Sequence, residues 1–172
     1  MLLLLYRSKP IVKRQNGSSE IVIFAVLKIL SMKSSEYIIV LADDDIDDQV
    51  IIKDIFSLHT DSITILNVVD GEEAIHLLER LQKKHIYPCL IILDINMPKM
   101  DGRQTLLQIK QQEELKEIPI VLFSTSRDES DRQFAYKNGA SYVTKPFSYK
   151  NMENVVKGFI NQCQLEGERR GM

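Results

Sequence analysis

The chain lacks a strong excess of either charge, a cysteine framework and a long apolar run. Its 22 Lys and Arg stand against 24 Asp and Glu, a formal net charge of -2. Proteins that bind nucleic acid by electrostatics carry a clustered basic excess, so this balance argues against a nucleic-acid partner. The two cysteines, Cys89 and Cys163, fit no zinc spacing and no disulfide framework. They read as reduced thiols of a cytoplasmic protein, with Cys89 a small core residue. Residues 1–5 and 21–30 are apolar, the second run interrupted by Lys28. Both are shorter than the ~20 residues of a membrane-spanning helix, so no membrane partner is expected. A secretory signal puts its positive charges before the apolar region, whereas Arg7, Lys9, Lys13 and Arg14 follow it here. No Gly-x-Gly occurs, which removes the glycine-rich loop of a nucleotide or flavin module. There is no internal repeat and no low-complexity segment.

What is present suits one α/β domain: 172 residues, 44% of them hydrophobic, are enough to bury a core. Three parts are expected: an N-terminal extension (1–35), a folded domain (36–163) and a polar, frayed tail (164–172). Met32 lies just before the domain, so translation starting there and a poorly ordered N-terminal arm are two readings of the first part.

From Tyr37 onward apolar runs alternate with helical patterns. Residues 37–42 form a continuous apolar run, hence a buried strand, ending at Asp43-Asp44-Asp45. Ile46, Val50, Ile51, Ile55 and Leu58 then recur at helical spacing. A β-branched strand spans 62–69, and Asp70-Gly71 is a turn signal. Ala74, Leu77, Leu78 and Leu81 share one helical face. The third strand (89–93) stops at Asp94, and a loop with Pro98 and Gly102 leads to a third helix (103–112). The fourth strand spans 120–124, and the fourth helix spans 128–137, closed by Asn138-Gly139. A short fifth strand (141–144) ends at Lys145-Pro146, and Ser148 caps a fifth helix running to about Gln162. Five strands alternating with five helices predict a mostly parallel sheet covered on both faces.

In such sheets ligands bind beyond the carboxyl ends of the strands. Here those ends carry Asp43 and Asp44, Asp94, Ser124-Thr125-Ser126 and Lys145. Each piece alone has an ordinary explanation. Acids after a strand decorate a helix N-terminus, which also accounts for Asp47 and Asp48. An aspartate after a strand forms turns, and a Lys-Pro is a loop. The joint placement is what is specific. Carboxylates brought together repel unless a cation compensates. Carboxylate, carbonyl and water oxygens suit a hard ion such as Mg²⁺, which takes one or two carboxylates plus a phosphate. A carboxylate can itself be the nucleophile in phosphoryl transfer.

Three segments carry a family resemblance: Ile38-Ile39-Val40-Leu41-Ala42-Asp43-Asp44-Asp45, Leu93-Asp94-Ile95-Asn96-Met97-Pro98-Lys99-Met100-Asp101-Gly102 and Tyr142-Val143-Thr144-Lys145-Pro146-Phe147. Over about 37–162 the chain resembles the single-domain, CheY-like receivers of two-component response regulators. The resemblance implies a flavodoxin-like (βα)5 doubly wound parallel sheet of strand order 2-1-3-4-5. Asp94 would accept the phosphoryl group. Asp44 would bind Mg²⁺ directly, Asp43 mainly through water, and Asn96 through its backbone carbonyl. Lys145 would pair with phosphoryl oxygens, and Pro146 would follow a cis peptide bond. Ser124 would be the switch hydroxyl, with Thr125 as its rival, and Tyr142 the switch aromatic. Asn96 and Ser126 would influence dephosphorylation. Ala140-Ser141 leaves the stretch before Tyr142 one residue shorter than in many relatives, and 111–118 is long and charged.

The resemblance further implies a sensor histidine kinase or histidine phosphotransfer protein as donor. The output would be a protein contact, made by a monomer or a homodimer through the face of the fourth helix, fifth strand and fifth helix. Phe134, Tyr136 and Phe147 lie in or near that face, with core packing expected for at least one. Three further readings remain open: a phosphorelay intermediate, an aspartyl-phosphate hydrolase and an unphosphorylated receiver. The hydrolase would want a general acid two residues after Asp94, where Asn96 stands.

Overall fold

The computed structural model describes residues 37–170; the expectations for residues 1–35 lie outside them. Strands β1 (Tyr37–Ala42), β2 (Ile63–Val68), β3 (Leu90–Leu93), β4 (Ile120–Ser124) and β5 (Ser141–Thr144) alternate with helices α1 (Ile46–His59), α2 (Gly71–Gln82), α3 (Gly102–Lys110), α4 (Glu129–Lys137) and α5 (Tyr149–Arg170). All strand pairs are parallel, in the order β2-β1-β3-β4-β5. Parallel neighbours need a helical crossover, and these lie on both faces. α1 packs with α5, and α2 with α3.

Successive strand residues point to opposite faces. Ile39 and Leu41, Leu90 and Ile92, and Val121 and Phe123 turn toward a core shared with Ile52, Ile55, Phe56, Val156, Phe159 and Ile160. Because β1, β3 and β4 are covered on both sides, their intervening residues are buried too. The α2 stripe of Ala74, Leu77, Leu78 and Leu81 is buried as its spacing predicts.

The α1 stripe is a correction. Ile46, Val50 and Leu58 are more than half exposed, and the inward face is Gln49, Ile52, Ile55 and Phe56. α1 is apolar over much of its circumference, so periodicity alone leaves its rotation open. Gln49 contributes to setting it. Its side-chain amide donates to the carbonyls of Asp43 (2.5 Å), just past β1, and Val68 (3.0 Å), the last residue of β2.

Polar side chains cap the helix starts. Asp45, Asp70, Asp101 and Asp128 each accept a first-turn amide. Ser148 accepts the Asn151 amide. Gly139 closes α4 at φ +69°, a left-handed conformation that glycine adopts without strain.

Two further expectations are overturned at the far end of the sheet. Cys89 and Cys163 are not free thiols: their sulfurs are joined, with Cα atoms 5.0 Å apart. A separation of 74 residues hides this pairing in the sequence; it exists because α5 crosses the amino end of β3. The tail is not frayed either, since α5 continues to Arg170 and buries Gly167 against the Tyr37 ring. Among the described residues no helix is long and apolar enough to cross a membrane.

Candidate functional site

Register decides the site. Ala42 pairs with Leu93, Leu93 with Leu122 and Ser124 with Thr144, so the strands end nearly level. The ladder runs one step past their ends: the Asp94 amide donates to Ala42 and the Lys145 amide to Ser124, both at 2.8 Å. Asp43, Asp94, Ser124 and Lys145 are thereby buried at one edge.

The Lys145 ammonium lies 2.6 Å from Asp43 Oδ2, 3.0 Å from Asp48 Oδ2 and 3.1 Å from Asp94 Oδ1. It also sits 5.8 Å from the centre of the Phe123 ring. Burial raises the Asp43 pKa from its ordinary 3.8 to about 6, with the Asp94 charge adding to the rise and Lys145 opposing it. Burial alone would lower Lys145. The hydrogen bond and charge of Asp43, then Asp94 and Asp48, outweigh that and hold it well above an ordinary lysine.

Three carboxylates on one ammonium leave an excess of negative charge. Among the described residues no group of three or more histidine, cysteine or acidic side chains forms a ready-made metal cage. Mg²⁺ does not need one, being held by one or two carboxylates with waters and a phosphate. The hard oxygens of Asp43 and Asp94, mutually repelling and short of positive charge, fit that ion.

Asp44 and Asn96 are exposed. The Asn96 amide donates to Asp94 Oδ2 at 2.6 Å, which orients that carboxylate. Gly102 explains the Asp-Gly pair, because any Cβ there would collide with the Asp94 carbonyl. Ser124 is fully buried, and its rival Thr125 faces solvent. The Tyr142 ring is buried, and its hydroxyl donates to the Ser126 carbonyl at 2.7 Å.

The peptide bond before Pro146 is trans, since the described residues contain no cis bond. This corrects the cis expectation. Trans is the default for X–Pro by about 0.5–1 kcal/mol, and here the ammonium reaches its carboxylates from a trans bond.

Three features escaped the sequence reading. The first is Asp48. It lies four residues before buried Ile52, hence on the inward stripe of α1, and that spacing was the available signal. The second is a polar chain beside the pocket. Arg103 pairs with buried Asp131, Asp131 accepts the Ser126 hydroxyl at 2.7 Å, and Arg103 covers the half-buried Phe134 ring. A cavity of about 580 Å³ opens there, lined by Asn96, Met97, Arg103, Ser126 and Asp131 among others. No local motif announces contacts between α3, α4 and the loop after β4. The third is Lys99, which sits at φ 59° and makes an ion pair of 2.6 Å with Asp70. Burial would raise the Asp70 pKa, but that lysine and the α2 amides hold it low.

Residues 39–157 match the response regulator receiver domain model. The chain belongs to this family. Its receivers are phosphorylated signalling switches of two-component systems, generally use Mg²⁺ and take phosphate from histidine kinases. Response regulator Rcp1 of Synechocystis is 32% identical over 124 residues, covering 70% of this chain and 84% of that protein. The sensor histidine kinase CheAY of Helicobacter pylori is 32% identical over 136 residues, of which this chain spans only 16% of the length. Among solved structures, the phosphorylated cyanobacterial phytochrome response regulator RcpA superposes with a TM-score of 0.67 at 34% identity, covering 72% of this chain and 91% of that one. The Mn²⁺-bound form of Rcp1 gives a TM-score of 0.64 at 32% identity, covering 71% and 90%.

Proposed function

We propose that this receiver is switched by phosphorylation of Asp94 and signals through a protein contact. The observation that carries the reading is the convergence of buried Asp43, Asp94 and Lys145 at one sheet edge. An Asp94 carboxylate oxygen attacks phosphorus and forms the new O–P bond. The bond from phosphorus to the donor breaks, and its electron pair leaves with the donor, a phosphohistidine imidazole or acetate. Asp43, Asp44, Asp94 and the Asn96 backbone carbonyl would hold Mg²⁺, which would neutralise charge on the transferring group. Lys145, 3.1 Å from Asp94 Oδ1, stabilises the same charge.

The product adds a charge of about -1.5 to -2 at the pocket. Ser124 turns toward it, and Tyr142, tied to Ser126, couples that movement to α4. The output face is α4-β5-α5, where Tyr136 and Phe147 are exposed. That face meets a target protein or a second copy of the chain. Autodephosphorylation is slow, because neither Asn96 nor Ser126 is a carboxylate that activates water. Two relatives support the reading, one described as phosphorylated and one as Mn²⁺-bound.

Treatment with acetyl phosphate or beryllofluoride in Mg²⁺ tests it. The wild type should gain a covalent phosphoryl group from the former and a spectral change from the latter, and Asp94→Asn should show neither. An unmodified, unchanged wild type rejects the proposal.

A further inference from the structure

Lys145 has its shorter contacts with Asp43 and Asp48, not with the phosphoacceptor. Its contacts to Asp43 and Asp48 have hydrogen-bond geometry, 2.6 and 3.0 Å, whereas Asp94 is an ion-pair contact at 3.1 Å. An ammonium has three N–H donors, so two are committed elsewhere before phosphate arrives. The two acceptors differ. The Asp43 side chain is 1% exposed, its Oδ1 accepts the Asp45 amide, and its backbone continues the β1 ladder. Asp48 stands on the first turn of α1 with its side chain 28% exposed. Its exposed fraction leaves it room to swing into water, which the enclosed Asp43 side chain lacks.

We propose that Asp48 is a positioning residue for Lys145: in the unphosphorylated pocket it holds the ammonium as a stand-in anion, and it competes with the incoming phosphoryl group for it. This rests on Asp94 being the phosphoacceptor. The anion that displaces Asp48 belongs to the class of phosphoryl groups and their tetrahedral or trigonal mimics. Asp47 provides an internal control. It carries the same charge on the same turn, is exposed and lies outside the Lys145 contacts.

The test compares wild type, Asp48→Asn, Asp48→Glu and Asp47→Asn of the full chain at one saturating Mg²⁺ concentration, with acetyl phosphate varied. Asp48→Asn should lower the half-saturating acetyl phosphate about threefold, the size of a partly exposed ion pair, and change the limiting rate less. Asp48→Glu should return toward wild type, and Asp47→Asn should stay with it. In the metal-free protein, lysine-selective NMR should show the Lys145 ammonium signal moved by Asp48→Asn and unmoved by Asp47→Asn. Equal behaviour of the two Asn variants overturns the proposal, as would weaker acetyl phosphate use by Asp48→Asn. If the wild type itself takes no phosphate, the failure lies with the Asp94 reading instead. If wild type is modified and the variants match it, only the Asp48 assignment fails.

Discussion

The two ends of β3 work in opposite ways. At its carboxyl end Asp94 enters a pocket where three carboxylates share one ammonium. At its amino end Cys89 is joined to Cys163, and nearby Gly167 packs on Tyr37. Four fully buried apolar residues, Leu90 to Leu93, separate the two. One end keeps electrostatic tension that an added phosphoryl group can redistribute. The other is closed by packing and a covalent link. The contrast shows how a small sheet hosts a switch: repulsion is confined to one edge, and the rest of the core holds that edge in register.

The largest effect should come from removing the cation. Lys145→Met leaves Asp43 and Asp94 without their partner, and losing one member of a buried ion pair costs about 3–5 kcal/mol. Urea unfolding at neutral pH without metal measures it, and a loss below ~1 kcal/mol would mean the pocket is not under charge tension.

Next in size is the opposite end. Opening the Cys89–Cys163 link frees a loop of 74 residues, with an expected loss of about 3 kcal/mol. The comparison is the melting temperature with and without a thiol reductant, with Cys163→Ser as control. Phosphorylation of Asp94 should survive reduction; if it collapses, the two ends are not separable.

The third prediction is a pH dependence. Asp43 has a folded pKa raised from 3.8 to about 6, so the folded state holds the proton more tightly. The associated stability is complete below about pH 4 and is lost as pH rises through about 6. At about 1.4 kcal/mol per unit the total is roughly 3 kcal/mol, and about 2 kcal/mol is expected once solvent penetration is allowed for. Metal-free Asp43→Asn should therefore gain on the wild type between pH 4 and 7, and a constant difference would contradict this.

The smallest effect is at the rim. Ser126→Ala removes the hydroxyl that donates to Asp131 and accepts the Asp128 amide, costing about 1 kcal/mol. It should also alter the lifetime of the phosphoryl group, followed by acid quench; an unchanged lifetime removes Ser126 from dephosphorylation.

Much of this was legible in the sequence for a physical reason. Buried parallel strands read as continuous apolar runs, and helix caps are local, so β1, β3, β4 and the Ser148 cap follow from short windows. The residues at the strand ends were legible too, because strand polarity puts Asp43, Asp94, Ser124 and Lys145 at one edge whatever the loops do. The tertiary structure alone decided what depends on rotation and crossing. It turned α1 so that Ile46 and Val50 face solvent and Asp48 reaches Lys145. It brought Cys163 to Cys89, extended α5 onto Tyr37 and linked Arg103 through Asp131 to Ser126. Most of those contacts join residues far apart in the chain, and only packing can select them.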